Sequence, residues 1–194
     1  FQSASGYWNL MASLDEGETW SNLTVPSRAL RIEPDGMNPG LLYAATLAGL
    51  FRSDDGGVNW AEMEGQFQTI RVADVRVDPS DSKTIYVVAD TDDFQMDLGW
   101  ASNYALWKST DGGETFAEVK GGGFPATMKG RIDIASARSN PDVMYTMVEA
   151  DTAPNAKPDP KAAPARRPSG LYRSEDAGKT WAYMNPENTR PFYY

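Results

Sequence analysis

The chain has 194 residues, 41% of them hydrophobic, which is enough to form the core of one ordinary domain. A formal charge of -9 argues against nucleic acid as a partner, because phosphate binding needs a basic face. The absence of cysteine and histidine excludes disulfides, thiolate metal sites and histidine-based catalysis. No apolar run approaches the roughly 18 residues that a membrane span needs, so we predict none.

Short apolar runs rich in Val, Ile, Tyr and Leu, bounded by Gly, Pro, Asn and Asp, predict β-strands along the chain. A partial unit at 1–24 contains the run "GYWNLMAS". Three fuller units follow at about 27–65, 66–122 and 126–186, and "PFYY" at 191–194 begins another. Each fuller unit has four strand signals, and no segment shows a helical period.

Four short antiparallel strands repeated along a chain are typical of β-propeller blades. We therefore predict an all-β fold, namely a propeller segment of four-stranded antiparallel blades. Closed propellers have about four to eight blades, and an open ring exposes unpaired strand edges. We expect the rest of a larger ring to come from the same parent polypeptide or from another chain. A compact four-bladed ring is the alternative.

The pattern Ser-x-Asp-x-Gly-x-x-aromatic occurs four times between the predicted third and fourth strands. Short acidic side chains accept hydrogen bonds from their own turn, glycine takes a positive φ, and an aromatic ring can pack between sheets. The turns lack the later glutamate of a calcium loop, so we predict a structural role without metal or cofactor. The positions are Ser13, Asp15, Gly17, Trp20; Ser53, Asp55, Gly57, Trp60; Ser109, Asp111, Gly113, Phe116; and Ser174, Asp176, Gly178, Trp181.

These four repeats resemble the Asp box, or BNR repeat, of sialidases, sortilin-type receptors and related secreted propellers. The stretches "GRIDIASARSNPDVMYTMVEAD" and "GLYRSEDAGKTWAYMNPENTRPFYY" resemble large bacterial or archaeal secreted proteins described as BNR-repeat glycosyl hydrolases or sortilin-like proteins. The resemblance implies that each box closes the hairpin between the third and fourth strands, away from the ligand face. It also implies an extracellular or periplasmic location.

Two long connections between second and third strands lie on the predicted ligand face, where loops often carry function. The first mixes carboxylates with aromatics, as sugar sites do, although a solvated acidic loop or a cation site would have the same composition. Its candidate residues are Asp90, Asp92, Asp93, Asp97, Trp100 and Tyr104. The second has Glu149 and Asp151, followed by a Pro/Ala/Lys/Arg-rich stretch at 152–168 that we predict to be a loop.

Three arginines, Arg28, Arg71 and Arg131, precede the predicted first strands on the same face. The likeness to sialidases implies a clamp of arginines from different blades around a carboxylate. The Arg-Ile-Pro motif of those enzymes is absent, and a structural role at the rim is the alternative.

Three functions fit these observations. The first is a binding or scaffold module for a glycan, a peptide or a neighbouring subunit, and the sequence favours it. The second is a glycoside hydrolase, in which Asp90 and Glu149, each four residues after a tyrosine of the second strand, supply the two acids. The third is an assembly chaperone that resembles the propeller factors of photosynthetic complexes.

Overall fold

The computed structural model describes residues 10–13, 15–90, 104–126, 129–150 and 169–185. In these ranges it contains fourteen strands and no helix. The strands are β1 Leu10–Ala12, β2 Ser21–Leu23, β3 Ala29–Pro34, β4 Leu42–Thr46, β5 Gly49–Ser53, β6 Ala61–Glu62, β7 Val72–Asp78, β8 Asp81–Asp90, β9 Tyr104–Ser109, β10 Ala117–Glu118, β11 Lys129–Ala137, β12 Asn140–Ala150, β13 Gly170–Ser174 and β14 Ala182–Asn185.

The strands form four antiparallel sheets in chain order. Sheet 1 pairs β1 with β2, sheet 2 contains β3 to β6, sheet 3 contains β7 to β10, and sheet 4 contains β11 to β14. In the three four-stranded sheets each strand pairs with the next one along the chain. The predicted all-β fold of four-stranded blades is therefore confirmed.

The second strands β4 and β8 are deeply buried because a neighbouring sheet can cover each of their faces. In β8, the run Thr84–Asp90 is buried at every position, so both faces of this strand are covered. The fourth strands β6 and β10 have only two residues each. Short edge strands of this kind limit pairing with other chains.

Two apolar clusters hold neighbouring sheets together. One lies between sheets 2 and 3 and the other between sheets 3 and 4, with ring contacts such as Phe124 to Trp181 at 5.6 Å between centroids. The first cluster includes Tyr43, Leu50, Phe67, Val75, Ile85 and Val87, and the second includes Tyr86, Leu106, Phe124, Ile134, Met144 and Trp181. The apolar core is thus divided into layers between blades.

The Asp boxes are closed by their own side chains. In the second box, the Ser53 hydroxyl donates to Asp55 Oδ1 and accepts from the Gly57 amide, both at 2.8 Å. Asn59 donates from its backbone N to Asp55 Oδ1 at 2.9 Å and from Nδ2 to Oδ2 at 2.7 Å. The Trp60 indole donates to the Gly57 carbonyl at 2.9 Å. The other three boxes repeat the serine and aspartate bonds, with a threonine in place of Asn59.

These bonds favour the ionised carboxylates. The threonine hydroxyl four positions on is the largest cause that lowers the pKa of Asp15 and Asp176 to about 2. The Asn59 backbone amide is the largest cause at Asp55, whose pKa is also about 2, and Thr115 lowers the pKa of Asp111. Each box therefore carries a negative charge that its own turn stabilises.

Two successive residues of each box have a positive φ. One is the box glycine, with φ between +79° and +97°. The other is the residue before it, which is Gly56 or Gly112 in two boxes but Glu16 (φ 57°) or Ala177 (φ 54°) in the others. The left-handed region is unfavourable for residues with a Cβ, so these two boxes contain local strain.

The expectation that all four box aromatics pack between sheets is wrong for Trp20. Trp181 is 5% exposed and Phe116 packs against the cluster between sheets 2 and 3, whereas Trp20 is 58% exposed. The physical reason is that the described part of the chain places no sheet before sheet 1. Within the described ranges, therefore, no neighbouring blade covers the Trp20 ring.

Candidate functional site

The ends of the strands opposite the Asp boxes form the candidate functional surface. Strand β9 begins at Tyr104, which pairs with Asp90 at the end of β8, and finishes at Ser109, the first residue of a box. The box and the Asp90–Tyr104 pair therefore lie at opposite ends of the same strand. We call the surface formed by Arg28, Arg71, Asp90, Tyr104, Arg131 and Glu149 the rim.

The three predicted arginines occupy corresponding places at the start of the first strands. The Arg28 carbonyl accepts a hydrogen bond from the Leu47 amide at 3.1 Å, and the Arg71 carbonyl accepts one from the Asp90 amide at 3.0 Å. Arg131 immediately precedes Ile132, which pairs with Val148. The register thus places one arginine on each of three adjacent blades at the rim.

Arg71 is the arginine whose environment points most directly to a ligand. Its guanidinium carbon lies 5.8 Å from the centroid of the Tyr104 ring, within cation–π distance. Its Nε is buried, and none of the described residues accepts a hydrogen bond from it. A buried donor without an acceptor costs free energy. Arg71 as a whole is only half-buried, so its guanidinium can donate to a bound carboxylate, carbonyl or hydroxyl oxygen.

The two predicted acids occupy equivalent register positions on adjacent blades. Asp90 is four residues after Tyr86 and Glu149 four residues after Tyr145, and each lies near the end of the second strand of its sheet. Asp90 is only 4% exposed. Glu149 is half-buried and packs over Gly130, where an added Cβ would lie 3.0 Å from its Oε2.

The remaining loop candidates, Asp92, Asp93, Asp97, Trp100 and Asp151, lie outside the described residues. The stretch 152–168, predicted to be a loop, lies outside them as well. The predicted cluster of these side chains beside Asp90 and Glu149 therefore stays a prediction.

A charged network on the first strands was missed by the sequence reasoning. Strand β7 contacts both β3 and β11, so the first strands of three sheets lie side by side. Arg76 bridges them: its Nη2 lies 3.2 Å from Asp74 Oδ2, its Nη1 lies 3.4 Å from Glu33 Oε2, and its Nε donates to the Ile134 carbonyl at 2.9 Å. Arg31 completes what we call the inner network, with Nε 3.8 Å from Asp74 Oδ1.

Burial makes Asp74 the unusual member of the inner network. Its side chain is 9% exposed, and this desolvation is the largest cause that raises its pKa to about 6. Asp133 on the neighbouring strand raises the pKa further, while Arg76 and Arg31 oppose both effects. The signal was present in the sequence as charged residues at alternate positions, "RIE" in β3 and "DVR" in β7. Which of these charged side chains contact one another depends on how the sheets pack together, and the sequence pattern does not show that packing.

Among the described residues, no three or more Asp or Glu side chains gather in a way that could hold a metal ion. The same part of the chain contains no helix long and apolar enough to cross a membrane.

Comparison with known proteins identifies the family. The family model described as "Sortilin, neurotensin receptor 3" (Sortilin-Vps10) matches residues 48–194. The chain belongs to the Sortilin-Vps10 family. The match confirms the predicted BNR-type resemblance. No curated protein matches the sequence.

Solved propellers share the fold of this Sortilin-Vps10 chain. A GH74 xyloglucanase from Xanthomonas campestris is 23% identical with a TM-score of 0.55, and the match covers 79% of this chain and 21% of the enzyme. An ancestral GH74 enzyme is 17% identical with a TM-score of 0.62, over 91% of this chain and 21% of the enzyme. YCF48 bound to D1 peptide is 16% identical with a TM-score of 0.51, over 90% of this chain and 45% of YCF48.

The chain thus spans about a fifth of the two GH74 enzymes and less than half of YCF48. The fold is that of a propeller-type domain that occurs both in glycoside hydrolases and in a peptide-binding protein. At these identities the likeness establishes architecture, and the function has to be argued from the site.

Proposed function

We propose that this chain is a binding module whose rim holds a glycan or peptide ligand, in a secreted protein located outside the cell or in the periplasm. The observation that carries the proposal is the Arg71 Nε beside the Tyr104 ring, a buried donor for which the described residues supply no acceptor. The location rests on the family resemblance.

The rim has the chemistry that binding of an oxygen-rich ligand needs. Arg71 can donate to a carboxylate, carbonyl or hydroxyl group, and the guanidinium fork gives that contact direction. Arginines at corresponding positions of the neighbouring blades extend the positive charge along the rim. Binding of a peptide by YCF48 supports the view that a propeller of this architecture can serve as a platform for an extended chain.

Arrays of glycans and of peptides, probed with the intact chain and with an Arg71→Ala variant, test the proposal. We expect the variant to lose about tenfold or more in affinity, because truncation removes a charged hydrogen bond worth about 1.5 to 3 kcal/mol. Arg71→Lys, which keeps the charge but lacks the Nε donor, should recover only part of the binding. Trp100→Ala then tests the predicted stacking residue for any glycan that binds.

Arg138→Ala is the matched control. Arg138 is an exposed arginine in the turn between β11 and β12, on the box side of the sheet, so its loss should leave binding unchanged. Equal binding by the wild type and Arg71→Ala, or equal losses for both arginine variants, would contradict a ligand site at the rim.

A glycoside hydrolase is the second candidate function, favoured by the equivalent placement of Asp90 and Glu149 on adjacent blades. The 4% exposure of Asp90 argues against it. Xyloglucan and a panel of other polysaccharides should therefore stay intact with the wild-type chain. If cleavage occurs and is abolished in both Asp90→Asn and Glu149→Gln, the hydrolase replaces the binding module.

A further inference from the structure

Asn22, Leu23 and Thr24 form the acceptor motif for N-linked glycosylation, which is Asn-x-Thr with a residue other than proline in the middle. No other asparagine of the 194-residue sequence has a serine or threonine two positions later. The motif is typical of surface positions in secreted proteins. Whether it can carry a glycan in the folded chain depends on the accessibility of the Asn22 side chain.

Strand β2 directs the middle residue of the motif towards the next sheet and the asparagine away from it. Successive side chains of a strand point to opposite faces. Leu23 packs on Gly57 of the second box, with its Cδ1 2.8 Å from a Cβ added there, and is half-buried. Asn22 and Thr24, on either side of Leu23, are both exposed. The two side chains that define the motif are therefore accessible, while the middle residue anchors the strand.

The position of Asn22 stays accessible on sheets that have a preceding sheet packed against them. Asn22 pairs with the residue two positions before its box serine, and Glu118 in sheet 3 and Tyr183 in sheet 4 do the same. Apolar clusters join each of these two sheets to the sheet before it. The Glu118 side chain is nevertheless 21% exposed and Tyr183 is 42% exposed. The accessibility of Asn22 thus does not depend on what precedes sheet 1.

A glycan on β2 would lie away from the rim and from the inner network. In the four-stranded sheets, the strand that follows the box is at the edge opposite the first strand, and β2 follows the first box in the same way. The rim arginines and the inner network belong to the first strands. Among the described residues, β2 pairs with β1 alone, and a bulky group beside its other edge would hinder pairing with other chains.

We propose that Asn22 is a site of N-linked glycosylation. The donor is an oligosaccharide joined through its anomeric carbon to a polyprenyl pyrophosphate. The Asn22 Nδ2 forms a bond to that carbon and loses one proton, while the bond from the carbon to the pyrophosphate oxygen breaks and the polyprenyl pyrophosphate leaves with the electron pair. This inference rests on the proposed location outside the cell or in the periplasm, because the transfer accompanies export, and it does not depend on a ligand at the rim.

Mass spectrometry of the whole chain, exported from a eukaryotic secretory host by an added signal sequence, tests the proposal. We expect a mass above the 21.3 kDa of the polypeptide by one oligosaccharide. Treatment with peptide N-glycosidase should remove this increment and leave an aspartate at position 22 in the peptide map. Asn22→Gln and Thr24→Ala should each lose the whole increment, whereas Thr24→Ser, which keeps the motif, should retain it. Both positions are exposed, so all three variants should fold.

A transplanted motif is the matched control for the position in the fold. Glu118→Asn/Lys120→Thr places the motif around Val119, at the equivalent position of sheet 3, and in the Asn22→Gln background it should restore one oligosaccharide. The glycosidase should act on both folded glycoproteins without denaturant, since both positions lie at an accessible sheet edge.

Three results would overturn the proposal. They are an exported wild-type chain of unmodified mass, an increment that persists in Asn22→Gln, and an oligosaccharide found only on chains that have lost the circular dichroism of β-sheet. The glycan is detected by mass and ligand binding at the rim by arrays, so the failure of either proposal can be distinguished from the failure of the other.

Discussion

At the scale of single residues, the left-handed position before each box glycine decides how much strain a box contains. Two boxes place glycine there, at Gly56 and Gly112, whereas the others place Glu16 and Ala177. A left-handed residue with a Cβ costs roughly 1 to 2 kcal/mol. The carbonyl of Ala177 is also the acceptor for Tyr86 and Lys108, so the strained residue lies within a junction between blades.

We predict that Ala177→Gly raises the free energy of unfolding by up to about 1 kcal/mol. Relief of the left-handed strain exceeds the roughly 0.5 to 1 kcal/mol that glycine's extra freedom in the unfolded chain costs. The carbonyl that accepts from Tyr86 and Lys108 is unchanged by the substitution. Urea denaturation measures the difference.

Gly112→Ala is the reverse experiment at the equivalent residue of the third box. No atom lies within 4 Å of a Cβ added at Gly112, so steric contact adds nothing and its φ of 83° alone determines the effect. The variant should lose about 1 kcal/mol. Shifts of the same sign in Ala177→Gly and Gly112→Ala would show that backbone strain is not the cause.

At the scale of elements, two donors from adjacent strands of sheet 3 share one acceptor in sheet 4. Tyr86 on β8 and Lys108 on β9 both reach the Ala177 carbonyl, and the Lys108 ammonium lies 5.2 Å from the Tyr86 ring centroid. Loss of one donor leaves the carbonyl with the other. Loss of both donors leaves a partly buried acceptor without hydrogen bonds, which costs more free energy than the loss of either donor alone.

We therefore predict that Tyr86→Phe and Lys108→Met are non-additive. Each single variant should lose about 0.5 to 1.5 kcal/mol of unfolding free energy, and the double variant should lose more than the sum. Tyr145→Phe, at the corresponding position of sheet 4, should change the unfolding free energy little, because Tyr145 is 39% exposed. Strict additivity in the double-mutant cycle would mean that the two donors do not share the Ala177 carbonyl.

How far the sequence predicts an element depends on whether its interactions are local. The boxes were predictable because Ser53, Asp55 and Gly57 bond within one turn, and the strands were predictable from runs such as "TIYVVAD". The inner network was not, because the contact of Arg76 with Glu33 and Ile134 depends on how three sheets pack together. The exposure of Trp20 was not predictable either, since it depends on which blade lies next to it.

The same difference between local and long-range interactions applies to the rim. The start of each first strand follows from the repeat, so the places of Arg28, Arg71 and Arg131 could be read from the sequence. The Arg71 Nε, in contrast, lacks an acceptor among the described residues and lies beside the Tyr104 ring. That contact joins two strands, so no local sequence pattern encodes it. The sequence thus predicts where the three arginines lie, but it does not predict which hydrogen-bond partners Arg71 has.

At the scale of the whole molecule, neither end of the blade series is covered within the described residues. Trp20 is 58% exposed at one end and Tyr145 is 39% exposed at the other. The predicted alternative of a compact four-bladed ring would bury both rings, so these exposures argue against it. The sheets are joined at their inner edges instead, through the inner network and the contacts of β7 with β3 and β11.

The inner network should give this molecule an unusual dependence of stability on pH. Asp74 has a pKa of about 6 in the folded chain, mainly because of burial, against an ordinary value of 3.8. Between these values the folded state binds more protons than the unfolded state, so stability falls as pH rises from about 4 to about 6. The rise of the Asp74 pKa from 3.8 to about 6 corresponds to roughly 2 to 3 kcal/mol of unfolding free energy. The box aspartates have lowered pKa values, so their effect on stability has the opposite sign. The stability that they contribute is present above about pH 4 and is lost only as the pH falls below that value.

We predict that urea denaturation of the wild type gives a higher free energy of unfolding near pH 4.5 than near pH 7, and that Asp74→Asn removes this difference. Asparagine keeps the shape but cannot ionise, so the groups that face it, Arg31, Arg76 and Asp133, experience the same neutral neighbour at both pH values. Asp54→Asn is the control, because its exposed carboxylate pairs with Arg52 far from the inner network, and it should keep the wild-type slope. If the unfolding free energy of the wild type rises steadily from about pH 4 to about pH 7, the arginines outweigh burial at Asp74. If the unfolding free energies of the wild type and Asp74→Asn change equally with pH, another group causes the pH dependence.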